Sequence, residues 1–179
     1  MDPLVEYNIP VNGLSSGIHQ FDYQIDQRFF SNFEHSPIAT AKVKMEMVLE
    51  KKPSLYVLQF TFSGTVRTIC DRCLVEIDLP IEGEERLLVK VAEETESEDP
   101  EVVYLDPEAI RLEVADYIYE FIVLSIPIIK VYDCQEEEEV PCDFDMLDKL
   151  VGEPEEETPD PDSSSNPLWE ELKKFNSKQ

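Results

Sequence analysis

IATAKVKMEMVLEKKPSLYVLQFTFSGTVRTI, residues 38–69, decides the fold. Its first half alternates small or apolar side chains with Lys42, Lys44 and Glu46, the two-residue period of a strand that buries one face. Its second half is dense in Tyr, Val, Phe and Thr, residue types that suit a pleated surface. Pro53 interrupts the two in KKPS, with Lys51 and Lys52 at the tip, so the stretch predicts an antiparallel hairpin. Further along, IEGEERLLVKVAE (81–93) adds another strand, approached through Gly83. Upstream, YNIPVNGLSSGIHQFDYQID (7–26) fits two short strands around the Asn12-Gly13 and Ser16-Gly17 breaks, and QRFFSNF (27–33) a helical turn.

After the acidic, aperiodic loop EETESEDPE (93–101) the texture changes. Val114, Tyr117, Ile118, Phe121, Ile122 and Ser125 recur at helical spacing, which predicts a helix over 113–124 that packs on the sheet and stops at Pro127. A short helical segment follows near DFDMLDKL (143–150). GEPEEETPDPDSSSN (152–166) is too polar to offset the entropy of ordering it. Asn166 as a cap, Pro167 at the first helical position and the stripe Leu168, Trp169, Leu172, Phe175 predict a terminal amphipathic helix, folded back on the domain or presented to a partner. The fold class is therefore α+β. An antiparallel β-rich sheet, barrel-like or sandwiched, occupies residues 1–92 and carries one long packed helix. A single domain spans 1–151, an acidic disordered linker 152–166 and a C-terminal amphipathic helix 167–179.

A chain of 179 residues with 42% hydrophobic content supports one ordinary core. Its longest apolar run, YIYEFIVLSIPII (117–129), is broken by Glu120 and Pro127, short of what crosses a bilayer. The start MDPLVEYNIPVNGL lacks the basic and apolar regions of a signal peptide, so a soluble cytoplasmic protein with no membrane partner is expected. The net charge of -25 opposes binding along a phosphate backbone, yet it is unevenly spread: residues 91–165 hold 25 acids against three bases, while 37–90 hold eight of each. The near-neutral half carries Lys42, Lys44, Lys51, Lys52, Arg67, Arg72, Arg86 and Lys90. Lys51, Lys52 and Arg72, set at turns, are the candidate contacts to RNA or a ribosomal particle.

The four cysteines admit three readings. Cys70 and Cys73 form a Cys-x-x-Cys pair, but a redox pair of the thioredoxin kind needs a helix after it, and here a strand is expected. Cys70, Cys73, Cys134 and Cys142 supply the count for a closed structural zinc site. Against it, the second pair is spaced Cys-x7-Cys, and no glycine follows either pair to shape a tight knuckle. The third reading, reduced and metal-free cysteines that pack, is favoured over zinc; no cofactor is thus required, and His19 and His35 are only spare ligands. No nucleophile elbow, phosphate loop, His-Glu-x-x-His or glycine-rich cradle is present, and the carboxylates fall in runs such as Glu136 to Glu139, which predicts that the chain is not an enzyme.

CDRCL (70–74), IRLEVADYIYEFIVLSIP (110–127), Cys142 and PLWEELKKF (167–175), in that order, resemble the YceD family, the large ribosomal RNA subunit accumulation proteins. Cys70, Arg72, Cys73 and Leu74 match its first motif, Leu124, Ile126 and Pro127 the second, and Pro167, Leu168, Leu172 and Phe175 approximate the tail, a resemblance reaching from about Tyr56 to the end. Many members carry a richer C-x-G-x-C-x-x-C-G cluster after the second motif, where this chain has only Cys134 and Cys142. The resemblance implies a non-enzymatic accessory factor in the synthesis, processing or accumulation of large-subunit (23S) rRNA. Its partners would be that rRNA or a precursor ribosomal particle, with basic ribosomal proteins engaging the acidic half. The alternative function is a zinc- or thiol-dependent redox accessory protein using Cys70 and Cys73.

Overall fold

The alternation of residues 38–69 becomes two long antiparallel strands, β3 (Thr40–Lys51) and β4 (Leu55–Ile69), in a computed structural model that describes residues 3–92, 102–132 and 141–151. Ala41, Val43, Met45, Met47 and Leu49 are buried, while Lys42, Lys44 and Glu46 between them face solvent. β2 (Gly17–Asp26) flanks β3, β5 (Glu76–Val91) flanks β4, and β6 (Val102–Leu105) flanks β5, giving the five-stranded order β2-β3-β4-β5-β6. A second ladder pairs β1 (Asn8–Ile9) with β7 (Leu112–Glu113). The short helix α1 (Gln27–Phe30) starts where the Asp26 carboxylate accepts from the Arg28 amide at 2.8 Å, so QRFF forms the expected helical turn.

Over residues 1–92 the sheet is antiparallel as expected, and it gains one strand beyond them. β6 runs parallel to β5, with Leu88 opposite Val102 and Val91 opposite Leu105, so the sheet is mixed rather than wholly antiparallel. Among the described residues β2 and β6 are the edges of the five-stranded sheet, and neither a barrel nor a sandwich is confirmed. A helix covers the inner face of this sheet. Helix α2 (Ala115–Leu124) buries Ala115, Ile118 and Ile122, and Phe121 meets Phe60 of β4 edge-on at 5.2 Å. Each fully buried isoleucine contributes about 1.5–3 kcal/mol of transfer free energy. Tyr7, Tyr23, Phe29 and Phe30 form an aromatic cluster beside it, joined to α2 where Phe33 stacks on Tyr119 at 4.1 Å. Burial, then the nearby Glu6 carboxylate, pushes the Tyr23 phenol up to about 12, so it stays neutral as a core side chain should.

Two glycines of the sheet are fixed by space. A Cβ on Gly83 would fall 2.5 Å from Cζ of Phe62, and one on Gly64 would strike the Lys42 carbonyl oxygen and approach the Val43 Cα to 2.6 Å. The chain divides into two compact units, 1–142 and 143–179, and α3 (Phe144–Val151) lies in the second. Asp143 caps α3 by accepting from the Met146 amide at 3.1 Å. The expected acidic loop 93–101, the linker 152–166 and the terminal helix 167–179 lie outside the described residues.

Candidate functional site

Between β4 and β5 the chain reverses through Cys70 to Val75. The Cys70 amide donates to the Val75 carbonyl at 2.8 Å and the Leu74 amide to the Cys70 carbonyl at 2.9 Å, closing a tight turn. Leu74 sits at φ 61, in the left-handed region where glycine would be at ease. The missing glycine, taken in the sequence as a sign against a knuckle, therefore does not prevent one: Leu74 accepts the strain, about 1–2 kcal/mol, with its side chain 63% exposed.

Cys70 and Cys73 are free thiols, both buried. Burial alone would push the Cys70 thiol up. The backbone amides of Cys73, Tyr132 and Arg72, with a hydrogen bond from the Cys73 side chain, outweigh it and bring the thiol down from 9.0 to about 7. A sulfur so surrounded is suited to holding negative charge or a soft cation. Burial denies it the access that a reactive thiol needs, and strand β5 follows where a redox pair would place a helix.

The turn is clamped to the segment that follows α2. The Asp71 amide donates to the Lys130 carbonyl at 2.7 Å, and the Lys130 amide donates back to Asp71 Oδ2 at 2.7 Å. Arg72 Nη2 donates to the Tyr132 carbonyl at 3.3 Å, and Lys130 Nζ lies 3.7 Å from Asp71 Oδ1. Sequence reasoning singled out Arg72 and missed Asp71, whose carboxylate does most of the fastening. Its one local signal was an acid inside the Cys-x-x-Cys pair.

Of the remaining ligand candidates only some are described. Cys134 lies outside the described residues, and Cys142 is buried and disulfide-bonded, so the expectation of reduced cysteines describes Cys70 and Cys73 and fails at Cys142. Among the described residues no three His, Cys, Asp or Glu side chains are placed to hold a metal ion. His19 Nε2 donates to the Ser15 carbonyl at 2.8 Å.

The basic candidates are dispersed. Lys51 and Lys52 lie before the first residue of β4 and Arg72 beyond its last; fifteen residues of strand, about 50 Å when fully extended, run between. Lys51 faces inward, its Nζ donating to the carbonyls of Val11 at 2.6 Å and Leu14 at 2.8 Å, while Lys52 pairs with Glu50 at 3.0 Å. On the outer sheet face Lys42 stands opposite Asp26, Lys44 is followed by Glu46, and Arg67 forms a two-pronged pair with Asp78, so no unbroken basic surface forms.

A mixed sheet bearing a clamped cysteine turn defines an α+β protein whose distinctive site is structural in build. The chain belongs to the family described as Large ribosomal RNA subunit accumulation protein YceD, whose family model matches residues 58–176. The match begins inside β4, takes in the cysteine turn, the clamp and α2, and leaves β1 to β3 outside it. No curated protein and no solved structure matches the chain. Among the described residues, no helix is long and apolar enough to cross a membrane.

Proposed function

We propose that this chain is a non-enzymatic, cytoplasmic accessory factor in biogenesis of the large ribosomal subunit, acting on a precursor particle to support synthesis, processing or accumulation of 23S rRNA. The family match over residues 58–176 carries the proposal, because the family's description names accumulation of that RNA. Electrostatics favours a particle over naked RNA as the target: a net charge of -25 opposes approach to bare phosphates, whereas an assembling particle also presents basic proteins. Arg72, at the clamped end of the sheet, is the cation of the original three that enters this reading. Lys51 is committed to the fold and Lys52 to Glu50.

The experiment is sedimentation of the purified full-length chain with large-subunit precursors and with protein-free large-subunit rRNA, joined to depletion of the protein in its host. The expected result is co-sedimentation with precursors, weak and salt-sensitive association with free rRNA, and reduced large-subunit rRNA relative to small-subunit rRNA on depletion. Unchanged rRNA levels together with no co-sedimentation would refute the proposal.

A further inference from the structure

The apolar side chains that the fold leaves in water concentrate where α2 ends. Ile128 is 96% exposed, Leu124 78% and Ile129 69%, with Leu74 of the cysteine turn and Ile69 at the end of β4 exposed as well. Isolated exposed apolar residues are ordinary, whereas a group of them within one short segment and the turn clamped to it marks a contact surface. The segment is held in place, since Asp71 exchanges two hydrogen bonds with Lys130 at its centre. Among the described residues, the backbone amides of Ile128, Ile129 and Val131 have no hydrogen-bond partner, so a held, bent segment offers both apolar side chains and open backbone groups.

Two grooves flank the strip. One, of about 250 Å³, is lined by Ile38, Val66, Val123 and Ile128; the other, of about 850 Å³, is lined by Leu79, Val131 and Tyr132 together with Glu76 and Asp78. Arg67, paired with Asp78, borders both; Lys130, 3.7 Å from Asp71, lines the smaller, and Glu76 gives the larger two carboxylates to one guanidinium. An apolar strip ending in an acidic groove, on a chain of net charge -25, is complementary to apolar side chains accompanied by Lys or Arg. Phosphates gain nothing from exposed isoleucines, and a second copy of this chain would bring another -25.

We propose that the Leu124–Val131 strip and its two grooves form a docking surface for a basic protein segment that carries apolar side chains, of the kind basic ribosomal proteins present. This deepens, and rests on, the large-subunit role proposed above.

The test places a photo-reactive benzoylphenylalanine at Ile128 of the full-length chain, and in a separate control at Thr61 on the outer sheet face. The probes are large-subunit ribosomal proteins freed of rRNA and, separately, protein-free large-subunit rRNA. The expected result is a cross-link from position 128 to a Lys- or Arg-bearing segment of a ribosomal protein, with no cross-link to rRNA above the Thr61 control. Adding Ile129→Asp should reduce the yield about tenfold, as loss of a central apolar contact does. Its melting temperature should not change, because that side chain is exposed. Cross-links to rRNA or to a second copy, or equal yields from positions 128 and 61, would overturn the surface. Co-sedimentation with precursors without this cross-link overturns the surface and leaves the large-subunit role standing; failure of both overturns both.

Discussion

Strand β4 ends at both extremities in a turn with a basic residue, and the two turns are built in opposite ways. At the Lys51-Lys52 end the ladder closes locally, the Lys52 amide donating to the Leu55 carbonyl at 3.0 Å, and Lys51 turns inward to tie down the N-terminal segment through Val11 and Leu14. At the Cys70-Cys73 end the turn faces outward from the ladder, and residues some sixty positions later in the chain, Lys130 and Tyr132, complete it. The first end uses its cation to finish the fold. The second is assembled from two distant pieces of chain and leaves apolar side chains exposed around the joint. A lysine at a hairpin tip is thus a poor marker of a binding surface, while a buried cysteine turn can be the foundation of one.

Replacing both cysteines of the turn should have the largest effect. Cys70→Ser with Cys73→Ser puts two smaller, more strongly hydrated side chains into a buried turn and exchanges the large sulfur on which three amides converge for a shorter-reaching hydroxyl that does not ionise, so a loss of about 3 kcal/mol is expected in urea unfolding. A change below about 0.5 kcal/mol, the level of an ordinary surface substitution, would show that the turn does not depend on its sulfurs. At the other end, Lys51→Met strips two charge-assisted hydrogen bonds from buried or half-buried carbonyls and should cost about 2 kcal/mol. Lys52→Ala, which removes only an exposed ion pair, should cost less than about 0.5 kcal/mol. Equal costs for the two lysines would erase the distinction between a structural and a surface cation.

A pH series separates the two ends further. The Cys70 thiol stands near 7 in the fold against an ordinary 9.0, so between those values the unfolded chain holds more protons than the folded one. Stability should therefore rise from pH 7 to pH 9, with that contribution lost as pH falls through 7, and Cys70→Ala should abolish the rise. Thiolate absorbance in the folded protein, followed by titration, checks the same ionisation directly. The smallest expected effect is a gain: Leu74→Gly relieves a left-handed leucine and should stabilise the protein by about 1 kcal/mol. A loss instead would mean that the Leu74 side chain contributes more than its exposure suggests.

How far these two ends could be read from sequence follows from the range of the interactions. The hairpin, the helical turn after Asp26 and the face of α2 were legible because their signals repeat at a fixed period within a few residues. β6 was missed: VVYL is four residues long, follows an acidic run, and pairs in parallel with β5, so neither alternation nor a tight turn announced it. The clamp was illegible for a different reason. Asp71 and Lys130 meet only because α2 lies on the inner face of the sheet and returns the chain to the end of β4, a consequence of packing that no local pattern carries. Lys51 misled because a cation beside a proline turn looks solvent-facing until the N-terminal segment is seen to supply its carbonyls. The cysteine turn was half legible: the pair was plain, and its shape was obscured by a leucine occupying a position where glycine is the usual signal.

The central claim is that the clamped cysteine end, and not the lysine tip, is where this protein meets the large-subunit precursor. The most direct measurement is co-sedimentation of the full-length chain with isolated precursors, comparing wild type, Lys52→Glu at the tip, and Ile128→Asp with Ile129→Asp at the clamped end. All three should be folded, since the altered side chains are exposed. The account predicts that the tip variant sediments with precursors as wild type does while the double variant is lost from them. Retention of the double variant with loss of Lys52→Glu would contradict it.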